Sequence, residues 1–362
     1  MRYCLYGAGK NAEDFLTYGG LYFGDEITGV FDTDREKWGK YIQGYEIRSP
    51  EKIKNSSFDV ILVCPNESDE IIDLLMEKYR IPKSKIRELS DLYLDIINRL
   101  RLKYGNRQEI SDIINSFADG KPNIYGLYRK SEPKKYSVSR DDDEYPYIML
   151  EGKRMYYPKS YRGIYEDCDG NEYIGDALYE QGEGSPHLYI KDDDFAEKLN
   201  GGVIVDAGVC EGNFALRYID DAKKIYLIEP DLEWVNALEK TFSSYRNKVV
   251  FVKKYLSRSS DRDRITLDDI VDEPVDFLKM DIEGYEIDAL LGAKQTLKNS
   301  DCHCAICSYH RMNDEENVRF LLEHLGYQTS VSEGYMLFLH DPYFCDTMDF
   351  RRGIVYGKKD RS

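Results

Sequence analysis

The spacing of apolar and polar positions divides this chain into repeated strand–helix units. Near the start, Tyr3–Tyr6 reads as a strand, followed by a glycine turn and a helix to about Tyr18. Thr28–Asp32 and Val60–Cys64 read as two more strands, and Ser68–Tyr79 as an amphipathic helix. This is half of a doubly wound sheet. Leu92, Ile96, Ile97 and Leu100, then Ile110, Ile113, Ile114 and Phe117, fall at helical spacing. One or two helices are expected over Asp91–Phe117, as a connector or an oligomer contact, with core packing the default for such a stripe.

Polar residues then dominate Asp119–Tyr147, as in a linker or an exposed excursion. Tyr147–Leu150, Lys153–Tyr157 and Glu172–Ile174 look like short strands, with turns at Glu151-Gly152 and Asp169-Gly170. Gln181–His187 is a flexible polar loop, placed either to connect or to cover a ligand. Five strand–helix repeats follow. Their strands are Val203–Val205, Lys224–Ile228, Val249–Val252, Val275–Asp281 and Cys304–Ser308. Gln328–Val331 and Tyr335–His340 should close the sheet as an antiparallel hairpin around Glu333-Gly334. The expected fold class is α/β, with two doubly wound Rossmann-like domains, the second a seven-stranded sheet ending in that hairpin. The expected boundaries are 1–90, a helical connector and polar linker over 91–146, and 147–362.

A length of 362 residues supports two domains. The net charge of −17 argues against bare nucleic acid as a partner, because phosphate binding needs a basic stripe. Lys253, Lys254, Arg258, Arg262 and Arg264 cluster in sequence and are expected to form a solvated loop. No apolar run approaches the ~20 residues that span a bilayer. Met1-Arg-Tyr-Cys-Leu-Tyr-Gly has no signal-peptide pattern, and 8 cysteines in so long a chain do not make a disulfide scaffold. A reducing, cytoplasmic setting is expected. The 31 tyrosines suit carbohydrate contacts, or reflect a composition bias.

Two glycine turns carry candidate chemistry. After Val203-Ile-Val, Asp206-x-Gly208-x-x-x-Gly212-Asn213 leads into a helix. Glycines there permit positive φ and close approach of the backbone to a ligand, which sits outside the carboxyl end of the strand. The next strand ends in Glu229-Pro230-Asp231, and an acidic residue at that place can accept both ribose hydroxyls. The spacing differs from a dinucleotide fingerprint, so the site is read as an S-adenosylmethionine pocket. Asp206, Gly208, Glu211, Gly212, Asn213, Glu229 and Pro230 would line it, with Asp281 beside the donor. Asp281 and Glu283 offer hard oxygens for Mg²⁺. The rival roles are a donor hydrogen bond or helix cap for Asp281 and a surface position for Glu283. His310 ends the neighbouring strand and is the candidate general base, against a purely structural histidine.

The second turn, Gly7-x-Gly9-x-x-Ala12 with Asp32, matches the dinucleotide fingerprint with alanine in third place. The competing reading is a module that keeps the turn and binds no nicotinamide. Cys302-His303-Cys304-x-x-Cys307 has soft-metal spacing. Alternate strand side chains point to opposite faces, so buried free thiols are expected instead of zinc.

Together, Asp206-x-Gly-x-x-x-Gly-Asn213, Ile228-Glu-Pro-Asp231, Thr266-Leu-Asp-Asp269 and Val275-Asp-Phe-Leu-Lys-Met-Asp-Ile-Glu-Gly-Tyr-Glu286 resemble the FkbM family of methyltransferases. Gly292-Ala-x-x-x-Leu297 and the His310 segment fit too, so the resemblance spans roughly 180–345. It implies O-methylation, commonly of sugar hydroxyls in polysaccharides, glycolipids or natural products. The first domain lies outside it and resembles small nucleotide-binding modules of bacterial sugar-modifying enzymes, which would hold a nucleotide sugar. Two other functions compete: an NAD-dependent oxidoreductase or epimerase centred on Gly7–Asp32, and a binding module whose methyl transfer is vestigial.

Overall fold

The computed structural model describes residues 1–18, 26–66, 68–116, 136–161, 178, 180–337 and 347–359. The expected strand Glu172–Ile174, the Asp169-Gly170 turn, Phe117, residues 119–135 of the polar stretch and residues 338–340 of the last expected strand lie outside them. The chain forms two compact units, Met1–Leu127 with Leu337–Phe350, and Tyr128–Met336 with Arg351–Ser362. No described helix is long and apolar enough to cross a membrane.

The first unit holds a six-stranded sheet: β1 (Arg2–Tyr6), β2 (Glu26–Phe31), β3 (Tyr41–Ile42), β4 (Tyr45–Arg48), β5 (Val60–Val63) and β6 (Ile86–Glu88), in the order β3-β4-β2-β1-β5-β6. All pairs are parallel except β3 with β4. Central β1 and β5 are near-continuous apolar runs because parallel strands are covered on both faces. The short β3, β4 and β6 carry too few residues to show a period, and the sequence reading passed over them. Helices span Lys10–Tyr18, Asp69–Glu77, Leu89–Tyr104 and Gln108–Ser116. The apolar stripe from Leu92 to Ile114 is buried, as core packing requires.

The second unit begins with a small antiparallel sheet of β7 (Ser139–Arg140), β8 (Pro146–Leu150) and β9 (Lys153–Tyr156). Its main sheet has β10 (Val203–Ala207), β11 (Lys224–Ile228) and β12 (Val249–Val252), and a separate short pair, β13 (Tyr255–Leu256) and β14 (Arg264–Ile265), follows in the chain. The main sheet continues with β15 (Phe277–Met280), β16 (His303–Cys307), β17 (Tyr327–Val331) and β18 (Ile354–Lys359). The order is β12-β11-β10-β15-β16-β18-β17, with five parallel strands and β18 antiparallel to both neighbours. Val205, Ile228, Leu278, Met280 and Ile306 form its buried spine.

The closing pair differs from the expected hairpin. The partner of β17 is β18, and Met336 makes only a single bridge to Arg351. Ile354, Val355 and Tyr356 are buried and β18 fills the place between β16 and β17. A turn signal at Glu333-Gly334 reports local geometry and carries no information about a strand that returns later in the chain. Helix starts follow local capping: Asp231 accepts the Glu233 amide at 2.8 Å, where the helix Leu232–Thr241 begins. Because the five strands run parallel, Asp206–Gly212, Glu229, Asp281–Gly284 and Ser308–Arg311 all emerge at one edge.

Candidate functional site

The turn after β10 is shaped by Gly208 (φ 74°) and Gly212 (φ 78°), both left-handed. A Cβ at Gly208 would stand 1.6 Å from the Asp281 carbonyl oxygen, and one at Gly212 would stand 2.6 Å from Leu238 Cδ2. The close approach that requires glycine is therefore to the end of β15 and to a packed helix. Asn213 starts the following helix, and its Nδ2 donates to Gln181 Oε1 at 2.8 Å.

Asp206 is fully buried and faces Lys279, its register partner on β15, with Nζ 3.1 Å from Oδ1. Burial pushes the Asp206 carboxyl up, and the Lys279 charge works against it. For Lys279 burial acts downward, but the charges of Asp206 and Asp281 outweigh it and keep the ammonium protonated. Lys279 Nζ also donates to the Gly208 carbonyl, so it ties the turn to the strand. At the end of β11, Glu229 accepts the Cys210 amide (3.1 Å) and the Asp231 amide (3.0 Å), one on each oxygen. Burial raises its pKa, and those two amides partly offset the rise. Glu211 is half-buried on the same turn, and Pro230 follows Glu229.

Asp281 anchors a denser cluster. Its Oδ2 accepts the Tyr189 hydroxyl at 2.8 Å and lies 3.2 Å from His187 Nε2. Its Oδ1 accepts the Tyr309 hydroxyl at 3.4 Å and lies 3.4 Å from His310 Nε2. The other ring nitrogen of His310, Nδ1, is 3.1 Å from Glu286 Oε1, and that carboxylate is fully buried and also accepts the Ile282 amide. His310 thus has a carboxylate at each nitrogen. Burial would raise the Asp281 pKa, but the His187 hydrogen bond and the His187, His310 and Lys279 charges hold it below the ordinary carboxylate range. Burial would lower both histidines. Asp281 and Glu180 instead bring His187 up to about 9. Glu286 and Asp281 raise His310. Arg351, buried, donates to the Tyr309 and His310 carbonyls at 2.8 and 2.9 Å and fixes this strand end.

Of the residues singled out by sequence, Asp281 and His310 meet directly. Glu283 points outward, with its side chain 84% exposed and Oε2 3.6 Å from His310 Nε2. Two groups of described residues have metal-type donor atoms within reach of one another, His187/Asp281/Cys307 and Asp281/Glu286/His310, and Glu283 is in neither. In the second group the two carboxylates approach opposite ring nitrogens, which suits moving a proton better than chelating an ion. Cys302, Cys304 and Cys307 are buried free thiols, and His303 turns to the opposite face, where Nε2 is 3.1 Å from Asp194. Lys253, Arg258 and Arg264 are paired with Glu239, Asp288 and Asp261.

The sequence reading missed four members of the cluster: His187, Tyr189, Glu286 and Lys279. Lys279 carried a signal of its own, a lone charge inside the apolar run Phe277–Met280, whereas Glu286 stood only as the end of the motif that carries the resemblance and His187 only as the end of the Gln181–His187 loop. The loop expected to be flexible and polar is exposed only at Glu183-Gly184 and is buried from Ser185 onward. In the first unit, Gly7 has φ 95°. A Cβ there would strike the Pro65 ring at 2.5 Å, and nothing lies within 4 Å of one at Gly9. Asp32 Oδ2 accepts the Ala8 amide (2.7 Å) and Lys37 Nζ (3.0 Å), and Oδ1 accepts the Asp34 amide (2.8 Å).

Comparison with known families now bears on the second unit. Residues 256–329 match the methyltransferase FkbM domain. That stretch includes β15, Asp281, Glu286 and His310, and the glycine turn and Glu229 precede it. Residues 1–87 match a C2185-like N-terminal domain. No curated protein matches the chain. Among solved structures, a methyltransferase FkbM from Methylobacillus flagellatus KT is 15% identical over 98% of this chain and 89% of that one, with a TM-score of 0.42. An rRNA methylase from Streptococcus thermophilus is 14% identical over 46% of this chain and 92% of that one, at 0.33. A UDP-D-quinovosamine 4-dehydrogenase from Vibrio fischeri is 19% identical over 26% of this chain and 84% of that one, at 0.21. Superpositions this loose carry no argument about activity.

Proposed function

We propose that the FkbM unit transfers a methyl group from S-adenosylmethionine to a hydroxyl oxygen, and that the acceptor is a sugar of a glycan, glycolipid or nucleotide sugar. The observation that carries this reading is the buried His310 imidazole, with Asp281 and Glu286 at its two nitrogens, at the same sheet edge as the glycine turn.

The residues at that edge fit the donor. A carboxylate has about four acceptor positions, and Glu229 uses one on each oxygen, so two ribose hydroxyls can still be held. Asp206, Glu211, Glu229 and Asp281 make an electronegative cradle, suited to a ligand bearing a sulfonium and an ammonium. Gly208, Gly212, Asn213 and Pro230 complete its wall. When bound, S-adenosylmethionine supplies an electrophilic methyl group on positive sulfur.

The chain's own task is to aim and deprotonate the acceptor oxygen, which needs near-attack distance and a base. Asp281 is held below the carboxylate range and stays ionised, so it is a poor base. His187, raised to about 9, is protonated at neutral pH and pins Asp281. His310 is left to accept the proton at Nε2, with Glu286 holding Nδ1 and both carboxylates stabilising the imidazolium. Its raised pKa sets the sign of the pH effect: turnover climbs with pH, on a limb above the usual ~6.5 for histidine. A Mg²⁺ role for Asp281 and Glu283 draws little support, because Glu283 is exposed and belongs to neither group of converging donor atoms among the described residues. In the first unit, a nucleotide at Gly7–Asp32 would share Asp32 with Lys37 and two amides, so that reading has less support than the donor site.

The test is methyl transfer to a panel of nucleotide sugars and oligosaccharides. His310→Asn should keep S-adenosylhomocysteine affinity and lose about 10²–10⁴ in turnover. Glu286→Gln should move the rising pH limb to lower pH. Unchanged turnover in His310→Asn would remove it as the base.

A further inference from the structure

We propose that the acceptor carries an anionic group, a carboxylate or a phosphate, and that Arg311 is the residue that reads it. This rests on the sugar-methyltransfer reading above and narrows its acceptor class.

Arg311 follows His310 directly, at the sheet edge where ligands of parallel sheets bind. Its side chain is seated by the opposing turn. Gly284 has φ 87°, and a Cβ there would stand 2.8 Å from Arg311 Nε and 3.3 Å from its Cγ. Glycine therefore lets the arginine lie flat on the Glu283–Tyr285 backbone. The Tyr285 ring centroid is 5.1 Å from Cζ, a cation–π contact. The Arg311 amide donates to Asp314 Oδ2 at 2.9 Å, and Arg351 holds the two carbonyls just before it.

The guanidinium is thus positioned by packing, and among the described residues it has no ion-pair partner. Nearby arginines do: Arg258 pairs with Asp288, Arg264 with Asp261, and Arg319 with Glu315 and Glu323. In a chain of net charge −17, Arg311 is an exposed and uncommitted cation next to the candidate base. The exposed charge on the facing turn is Glu283, which would repel an anionic acceptor unless Arg311 offset it. A planar fork of N–H donors matches the geometry of carboxylate and phosphate oxygens, and tyrosine stacking pre-organises it. A neutral sugar would leave that fork unused.

The experiment titrates the full chain, loaded with S-adenosylhomocysteine, with glucose, glucuronate and glucose 1-phosphate by calorimetry or ligand-observed NMR. At least one charged probe should bind about tenfold or more tighter than glucose, as a charged hydrogen-bonded pair implies. The two charged arms separate a carboxylate from a phosphate acceptor. Arg311→Gln should erase the preference, and Arg311→Lys should restore part of it, with less for the bidentate carboxylate. Equal binding of glucose, no binding of either charged probe in the millimolar range, or a preference that survives Arg311→Gln would overturn the proposal. S-adenosylhomocysteine affinity and melting temperature, measured on each variant, report the fold and the donor site separately. Failure of the wild type to bind S-adenosylhomocysteine would instead overturn the methyl-transfer reading itself.

Discussion

At the scale of single residues, the site is decided by which ionisable group holds which. His187 illustrates it. Its folded-state pKa is raised from the ordinary 6.5 to about 9 by Asp281 and Glu180, against the pull of burial. The protonated histidine's contribution is therefore fully present below ~6.5 and is lost as pH rises through about 9. At ~1.36 kcal/mol per pKa unit this is on the order of 3 kcal/mol. Urea unfolding of wild type and His187→Gln should show a gap that shrinks across that window. A gap independent of pH would mean that His187 does not act through its charge. Neither His187 nor Glu286 was legible as a site residue. His187 lies 94 positions from Asp281 in a glycine-containing loop, and no periodicity encodes such a contact. Glu286 sits in a helix's first turn, where an acidic residue ordinarily complements the helix dipole. Its complete burial is a tertiary fact.

At the scale of elements, the link between β10 and β15 sets the geometry of the turn. Gly208 and Gly201 share a left-handed backbone but differ in surroundings. A Cβ at Gly201 meets nothing within 4 Å, whereas at Gly208 it meets a backbone oxygen at 1.6 Å. Gly201→Ala should cost only the conformational penalty, about 1–2 kcal/mol. Gly208→Ala must also part the two strand ends, and should cost more than twice that and abolish donor binding. Chemical denaturation of both variants checks this, and equal costs would contradict it. Most long elements were legible in the sequence. β11 (Lys224–Ile228), β12 (Val249–Val252) and the helix Leu232–Thr241 have the ends that apolar runs, Pro230 and the Asp231 cap dictate. Legibility failed where an element's partner is remote, as for β18, or where an element is too short to show a period, as for β3 and β6.

At the scale of the whole molecule, the catalytic sheet is finished by residues that come after the chain has left it. Leu337–Phe350 belong to the first unit, and the chain returns to the second at Arg351. β18 then inserts between β16 and β17, and Arg351 holds the His310 carbonyl. A chain ending at Met336 would keep the whole stretch matched to the FkbM domain yet lack both. It should lose cooperative thermal unfolding and donor binding together. A truncated chain that melts cooperatively and still binds S-adenosylhomocysteine would show that β18 is dispensable. The order of the five parallel strands could be expected from strand–helix repetition alone. The return of the C-terminal strand could not, because its partners β16 and β17 lie well before it in the chain.

In the proposed function, Val203–Asn213 and Glu229 hold a ribose-bearing methyl donor beside Asp281. Isothermal calorimetry of S-adenosylhomocysteine with the purified full chain tests it most directly. One site per chain is expected, with a loss of about tenfold or more in affinity for Glu229→Ala, since no buried carboxylate would remain to accept the ribose hydroxyls. Absence of binding, or binding that Glu229→Ala leaves unchanged, would contradict it.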